Sequence, residues 1–543
     1  MPEFARDFPS RRYPLPRTAS LSPEGFESIQ APPPPLAPGA IYRCVRGVDP
    51  LPGIRMSAAK IQTHLRDPFA ELLLKRGIFP LSLRELLARL DEHNDAAEGL
   101  PEQKSFLVAD GGKIHWTAAT QELNRFFRLA VGRARNDDYR ILISSSVALD
   151  STDSQAFLQV IGWDATNQVY NYYERLQGVW IWAGNSWHAL DPASRGQGPF
   201  DSHVNGSLVM KELKLPWNHW HSESSAINPD ALAPLDPLRE EPLFLNRQGA
   251  QFLQVSIVQP GIDRWTAARL ARDSAAGQLD APAWLRHLLT TTTVNLGSAD
   301  MPSRQVAAGS KLRLPVSFFL NSDAFFDRLG IVPDVSHIQV LGQIYQNALQ
   351  HFGVELRQGT FRQPGDTHFA FLVPEVAYED LAALDQLLET KIVSPRLAAC
   401  LLMVDFPNPV YSPRREQLMQ HAPAVARRSG GAWDLETSFV GAIQAAAASL
   451  PTDSPEQEFL RYWGFGNSTW QAQLANVIED YFAAVQARAD VEAGFFEIFQ
   501  LAESRRRRFG KQPLAEFDLT LPVTNIPEAS SPLFMHVDGS ITT

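Results

Sequence analysis

The sequence predicts an α+β protein: an antiparallel or mixed sheet with flanking helices in the first half, a second α+β unit, and a helical carboxyl-terminal region. Three observations carry that expectation. Apolar spacing is helical after Met56, becomes strand-like from Arg140 to Ala183, and returns to long helical stripes after Ser454. The strand-like runs are short, rich in β-branched and aromatic residues, and broken by Gly, Asp and Asn, which suits antiparallel pairing. The length, 543 residues, exceeds one hydrophobic core, so several units are expected.

Residues 1–55 read as a proline-rich extended arm, because Pro32-Pro33-Pro34-Pro35 favours polyproline II over packed helix. Residues 56–228 read as an α+β domain. Ile61, Leu65, Phe69, Leu72 and Leu73 fall near helical spacing, and 81–90 forms a second helix. Leu123, Phe126, Phe127, Ala130 and Val131 predict a third, with a one-sided apolar stripe. Strands follow at 140–149, 156–161, 168–174 and 179–183. Residues 229–248, with Pro229, Pro234, Pro237 and Pro242, read as a linker.

A second α+β domain spans 249–426. It has strands at 252–258 and 312–319 and helices at 266–272 and 283–289. Ser336 is placed to cap a helix carrying Ile338, Leu341, Tyr345, Ala348 and Phe352, followed by a hairpin of 354–359 with 368–373. Helices at 376–389 and 394–403 close it. Residues 427–543 form a helical region with an extended tail. There Ser454-Pro455-Glu456-Gln457 starts one helix, and 468–487 with 490–507 form an antiparallel pair. The run Arg505–Arg508 reads as a solvated helix end favoured by the macrodipole, with an acidic or phosphate partner as the sharper alternative.

A formal charge of −11 disfavours nucleic acid and anionic membrane surfaces as partners. No apolar segment is long enough to span a membrane, and the first twenty residues lack the apolar core of a secretory signal, so a cytoplasmic, bacterial protein is expected. Cys44 and Cys400 match no metal or redox spacing. Arg195-Gly196-Gln197-Gly198 lacks the third glycine of a dinucleotide fingerprint and reads as a flexible turn, and neither GxxxxGK[ST] nor GxSxG occurs.

Chemistry concentrates in one stretch. Six of the twelve tryptophans fall between Trp163 and Trp220, which also holds Tyr170, Tyr172 and Tyr173. His219 and His221, two apart on a strand, present two imidazoles to one side. His203 is the first candidate for a third ligand if the chain folds back between them, although Pro216 and the tight turn at Asn205-Gly206 oppose that hairpin. Asp201, Glu212, Glu174 and His188 are other partners. Three imidazoles suit a transition metal, with iron favoured, copper and zinc as alternatives, and non-covalent haem compatible. Trp217 and Trp220 would wall the cofactor pocket, and Glu223 and Asp201 would serve as catalytic or orienting carboxylates. The expected function is a metal-dependent, oxygenase-like oxidoreductase acting on a small organic substrate. The alternatives are a metal-free small-molecule-binding protein and a scaffold protein, and the bland reading of each histidine is a hydrogen-bonded core or surface residue.

Overall fold

The computed structural model describes residues 36–109, 127–146, 148–153, 157–176, 178–201, 203–208, 232–299, 301, 303–358, 361–366, 370–510 and 522–543. The chain is α+β, with a mixed sheet in the first half and a helical carboxyl-terminal region.

Eight strands form the sheet: β1 (Ile41–Arg43), β2 (Ile54–Arg55), β3 (Glu102–Ala109), β4 (Phe127–Arg135), β5 (Asp138–Ser146), β6 (Leu158–Asp164), β7 (Val169–Leu176) and β8 (Val179–Asn185). Their spatial order is β2-β1-β8-β7-β6-β5-β4-β3. β3 to β8 make an antiparallel meander, and β1 joins β8 in parallel, with Tyr42 opposite Ile181. The β4–β5 turn is two residues, Asn136 and Asp137, with φ of 55° and 59°, a conformation these side chains tolerate better than most. Their amides donate to the Glu102 carboxylate at 2.6 and 2.9 Å, which ties the edge strand β3 to the hairpin.

Successive side chains on a strand face opposite sides, and here both sides are covered. Leu129, Val131, Ile141, Ile143, Val160, Tyr173, Trp180 and Trp182 pack on one face with the helices Pro68–Leu72 and Leu83–Asp91. Ala130, Leu142, Ile161, Trp163, Tyr170 and Tyr172 pack on the other with Ile262 and Trp265 of the helix Gln259–Asp273. A doubly covered strand loses its polar alternation. That is why Phe127, Ala130 and Val131 read as a helical stripe, whereas 127–135 is in fact β4; Leu123 and Phe126 lie outside the described residues.

Several expectations beyond the sheet are also corrected. Residues 252–258 are helical, continuing through a π-helical turn, Gln254–Val258, into Gln259–Asp273. Val255, Ile257 and Val258 are β-branched, but Leu253, Ile257 and Val258 reach the sheet together only at helical spacing. The strand at 312–319 shortens to Lys311–Arg313, which pairs with Gln339–Leu341. Ser336 caps nothing, because the next helix starts at Gly342. The hairpin is Glu355–Gln358 with Phe361–Pro364, while Val373–Val376 pairs with Val294–Gly297. The helix starting at Pro455 is capped as expected: Ser454 Oγ accepts from the Gln457 amide at 3.2 Å.

The arginine run is the largest correction. Arg505 and Arg506, each 2% exposed, lie inside the second half of the protein. Arg506 bonds the Glu503 carboxylate and the Leu372 carbonyl, and Arg508 bonds the Tyr411 carbonyl at 3.0 Å and stacks over its ring. Helical position explains the burial: the helix Glu492–Gly510 is packed along much of its length, so its last turn meets incoming loop carbonyls rather than water.

One buried acid organises the first half. Asp67 caps the helix Pro68–Leu72 by accepting from the Ala70 amide at 3.1 Å. Its other oxygen accepts from Asn171 Nδ2 at 3.0 Å and Tyr173 Oη at 2.6 Å, and Asn171 Oδ1 in turn accepts from Trp182 Nε1 at 2.9 Å. Gly162 on β6 makes room for this group, since a Cβ there would sit 2.5 Å from Asp67 Oδ1. Gly162→Ala should therefore destabilise by about 1–3 kcal/mol, the usual cost of overpacking a tight core. A urea midpoint unchanged from wild type would reject this account.

Candidate functional site

Asp201 ends the short helical turn Gly198–Asp201 and His203 follows it; both are buried, at 3% and 4% exposure. The His203 ring lies 5.3 Å from that of Tyr172 on β7. Its Nδ1 is 3.0 Å from the Ser207 carbonyl and donates to it. A tight turn does follow His203, but Val204 and Asn205 are its central residues rather than Asn205 and Gly206: the Gly206 amide donates to the His203 carbonyl at 2.9 Å. Gly206 has φ of 80°, and a Cβ there would come within 2.5 Å of the Ser186 carbonyl, so only glycine fits.

Trp217, His219, Trp220, His221, Glu223 and Glu212 lie outside the described residues. His188 is a capping residue, exchanging hydrogen bonds with Asn185 at the start of the helix Ser186–Leu190. Burial, and then the charge of Arg43, lower its pKa. Glu174 pairs with Gln159 across the β6–β7 ladder at 3.1 Å. The described tryptophans of the aromatic stretch do not share one pocket. Trp180 and Trp182 pack on one face of the sheet and Trp163 on the other. Trp187 makes an edge contact with Trp265 at 5.1 Å, under the Arg272 guanidinium.

The loop of His203 leads into a polar network that joins the two halves of the protein. Asn205 Nδ2 donates to Thr292 Oγ1 at 3.1 Å, and Thr292 donates to Asp380 Oδ1 at 2.6 Å. His287 Nδ1 donates to the same oxygen at 2.7 Å, and Arg269 donates to His287 Nε2 at 3.2 Å. Trp265 Nε1 donates to the Asn205 carbonyl at 2.7 Å. Asp380 sits in the first turn of the helix Tyr378–Glu389, where the helix dipole favours a carboxylate.

Burial, followed by Arg269, Arg286 and Arg195, holds the His287 pKa well below its ordinary value. The His287–Asp380 contact is thus a hydrogen bond from a neutral imidazole. With Nδ1 given to Asp380 and Nε2 taken by Arg269, neither nitrogen is placed to move a proton to or from a substrate. The network fixes the 203–208 loop against the second half. Beside it lies a cavity of about 20 Å³ bounded by His287, Thr291, Thr293, Asn321, Asp380 and Arg415, room for one water-sized group.

Sequence reasoning missed His287 and Asp380 because 93 residues separate them, and neither has a local partner pattern. The four threonines at 290–293, three residues after a helical histidine, were the available signal. Among the described residues, no three or more His, Cys, Asp or Glu side chains are grouped to hold a metal. Both cysteines are buried, and burial pushes the Cys400 thiol up to about 12, so it stays protonated. No helix of the described residues is long and apolar enough to cross a membrane. Comparison with family models, curated proteins and solved structures found no match for this chain.

Proposed function

We propose that the chain is a metal-dependent oxidoreductase acting on a small organic molecule, with the metal held by His203 together with His219 and His221. The observation that supports this reading is the Nδ1 hydrogen bond from His203 to the Ser207 carbonyl at 3.0 Å. A metal-ligating histidine usually donates its remote N–H to a carbonyl or carboxylate, which fixes the ring and leaves the other nitrogen basic. Ser207 supplies that partner, the Gly206 turn sets its position, and Asn205 anchors the loop to Thr292. His219, His221 and the pocket residues Trp217 and Trp220 enter on their sequence spacing alone, as does iron ahead of copper or zinc. Asp201, buried two residues before His203, is the carboxylate of choice for orienting a ligand or carrying a proton.

The test is metal content per chain in purified, untagged protein, measured by inductively coupled plasma mass spectrometry. Near one equivalent is expected in wild type and in a His287→Asn variant. A His203→Ala variant and a His219→Ala/His221→Ala variant should each lose most of it. Wild-type protein that neither carries metal nor takes it up on reconstitution overturns the proposal and favours a metal-free binding protein or a scaffold.

A further inference from the structure

We infer that Arg195 and Arg286 together bind the phosphate group of a small phosphomonoester at the seam between the two halves of the protein, independently of any metal. Arg286 stands on the helix Ala281–Leu289, directly before His287. Arg195 arrives from the first half, in the loop after the helix Ser186–Leu190. Both residues are half-buried, and among the described residues neither guanidinium makes a hydrogen bond, an ion pair or a ring contact. A guanidinium has five donors and no acceptor, so leaving one partly desolvated and unpaired is costly. Their neighbours avoid that cost. Arg269 bonds His287 and the Ala283 carbonyl, and Arg272 stacks on Trp187.

Packing brings the two arginines together. The helix Gln259–Asp273 docks both segments: its Trp265 meets Trp187 edge-on at 5.1 Å, and its Arg269 lies 4.3 Å from the centre of the Trp284 ring, two residues before Arg286. The guanidiniums are near enough to act on each other. After burial, the Arg195 charge is what lowers the Arg286 pKa, and both charges lower that of His287. Arg195 is also held in place. Its amide donates to the Asp191 carbonyl at 2.9 Å, and Ser194 Oγ beside it donates to the His188 carbonyl at 2.6 Å. Gly198, with φ of 61°, lets the loop close on Arg46, because a Cβ there would sit 2.9 Å from Arg46 Cγ.

The charge balance selects the ligand. No described carboxylate acts on Arg195; burial alone shifts its pKa. Arg286 feels one, Asp380, which also acts on Arg415 and already accepts from His287 and Thr292. Even with Asp380 set wholly against Arg286, Arg195 is left over, and His287 beside them is neutral. A phosphate presents enough oxygens to take both guanidinium forks at once, whereas one fork fills a carboxylate. Because both arginines are partly exposed, the remainder of the ligand can extend into solvent and its size is not limited here.

The deciding experiment is isothermal titration of the full chain with methyl phosphate and, separately, with acetate, at neutral pH and constant low ionic strength. Wild type should show one saturable site for methyl phosphate and bind acetate at least about tenfold more weakly. Arg195→Gln and Arg286→Gln should each weaken methyl phosphate about tenfold or more, the value of a charged hydrogen bond. His203→Ala and the exposed control Arg461→Gln should bind as wild type does. Absence of saturable binding to wild type, undiminished binding in either arginine variant, or acetate binding as tight as methyl phosphate overturns the inference. Loss of binding in His203→Ala overturns it too, by moving the phosphate to the metal site. Circular dichroism confirms that each variant is folded; should one arginine variant fail, the other decides.

Discussion

Replacing Arg505 with methionine is expected to cost about 3–5 kcal/mol, enough to leave much of the protein unfolded under mild denaturant. The side chain is 2% exposed, and its fork donates to the carbonyl of Phe318, to that of Pro407 at 2.9 Å and to Asn408 Oδ1 at 3.0 Å, while its plane lies 4.4 Å from the centre of the Phe318 ring. Methionine fills a similar volume, so the loss is not a cavity but stranded acceptors, each worth about 1–3 kcal/mol when buried. Asn408 Oδ1 keeps a second donor, the Met535 amide at 3.1 Å, which limits the total. Arg505→Lys should fall between the two, because an ammonium retains the charge but cannot reach three acceptors in one plane. Arg461, with an exposed side chain, provides the control; its alanine variant should change stability by under about 0.5 kcal/mol. Urea unfolding followed by tryptophan fluorescence measures all three. A cost below about 1 kcal/mol for Arg505→Met would show that this arginine does not staple the Phe318 and Pro407 loops to its helix.

The second large effect is on pH dependence. Burial raises the pKa of Asp67 from 3.8 to about 6, against the opposing pull of hydrogen bonds from Tyr173, the Ala70 amide and Asn171. In the folded state the group therefore holds its proton more tightly than in the unfolded chain. Its contribution to stability is fully present below about pH 4 and is lost as pH rises through about 6, a total near 3 kcal/mol. Asp67→Asn has no proton to lose there. The variant should start less stable than wild type at pH 4.5, because its amide nitrogen meets the Asn171 amide that the carboxylate accepted. The gap should shift in the variant's favour by about 2 kcal/mol between pH 4.5 and 7.5. Glu375, raised by burial to about 7, titrates in the same range, but it is common to both proteins and drops out of the difference. A gap that stays constant with pH would place the Asp67 carboxyl in a wetter site than its burial implies.

Both effects arise from side chains whose importance could not be read locally. Arg505 stands in an arginine run whose ordinary meaning is a solvated helix end. What reverses that meaning is the arrival of the 318 and 407 loops from elsewhere in the chain. Asp67 is an ordinary helix cap by sequence. It becomes a buried hub only when β7 brings Asn171 and Tyr173 over it, more than a hundred residues later. The same holds for His287 and Asp380, joined at 2.7 Å across the fold.

The sequence by itself determined the α+β class, the strands β5 to β8 and the long helices of the carboxyl-terminal region, because period-two and period-3.6 patterns and capping residues act over a few neighbours. It placed a tight turn directly after His203. The tertiary structure alone decided that 127–135 is a strand and 252–258 a helix, since a strand covered on both faces and a short β-branched helix lose the polar alternation that separates them. It also decided which polar groups are buried together. Burial sets the cost of an unpaired charge, and pairing partners come from distant segments, so the arginine staple, the Asp67 hub and the His287–Asp380 network exist only in the folded chain.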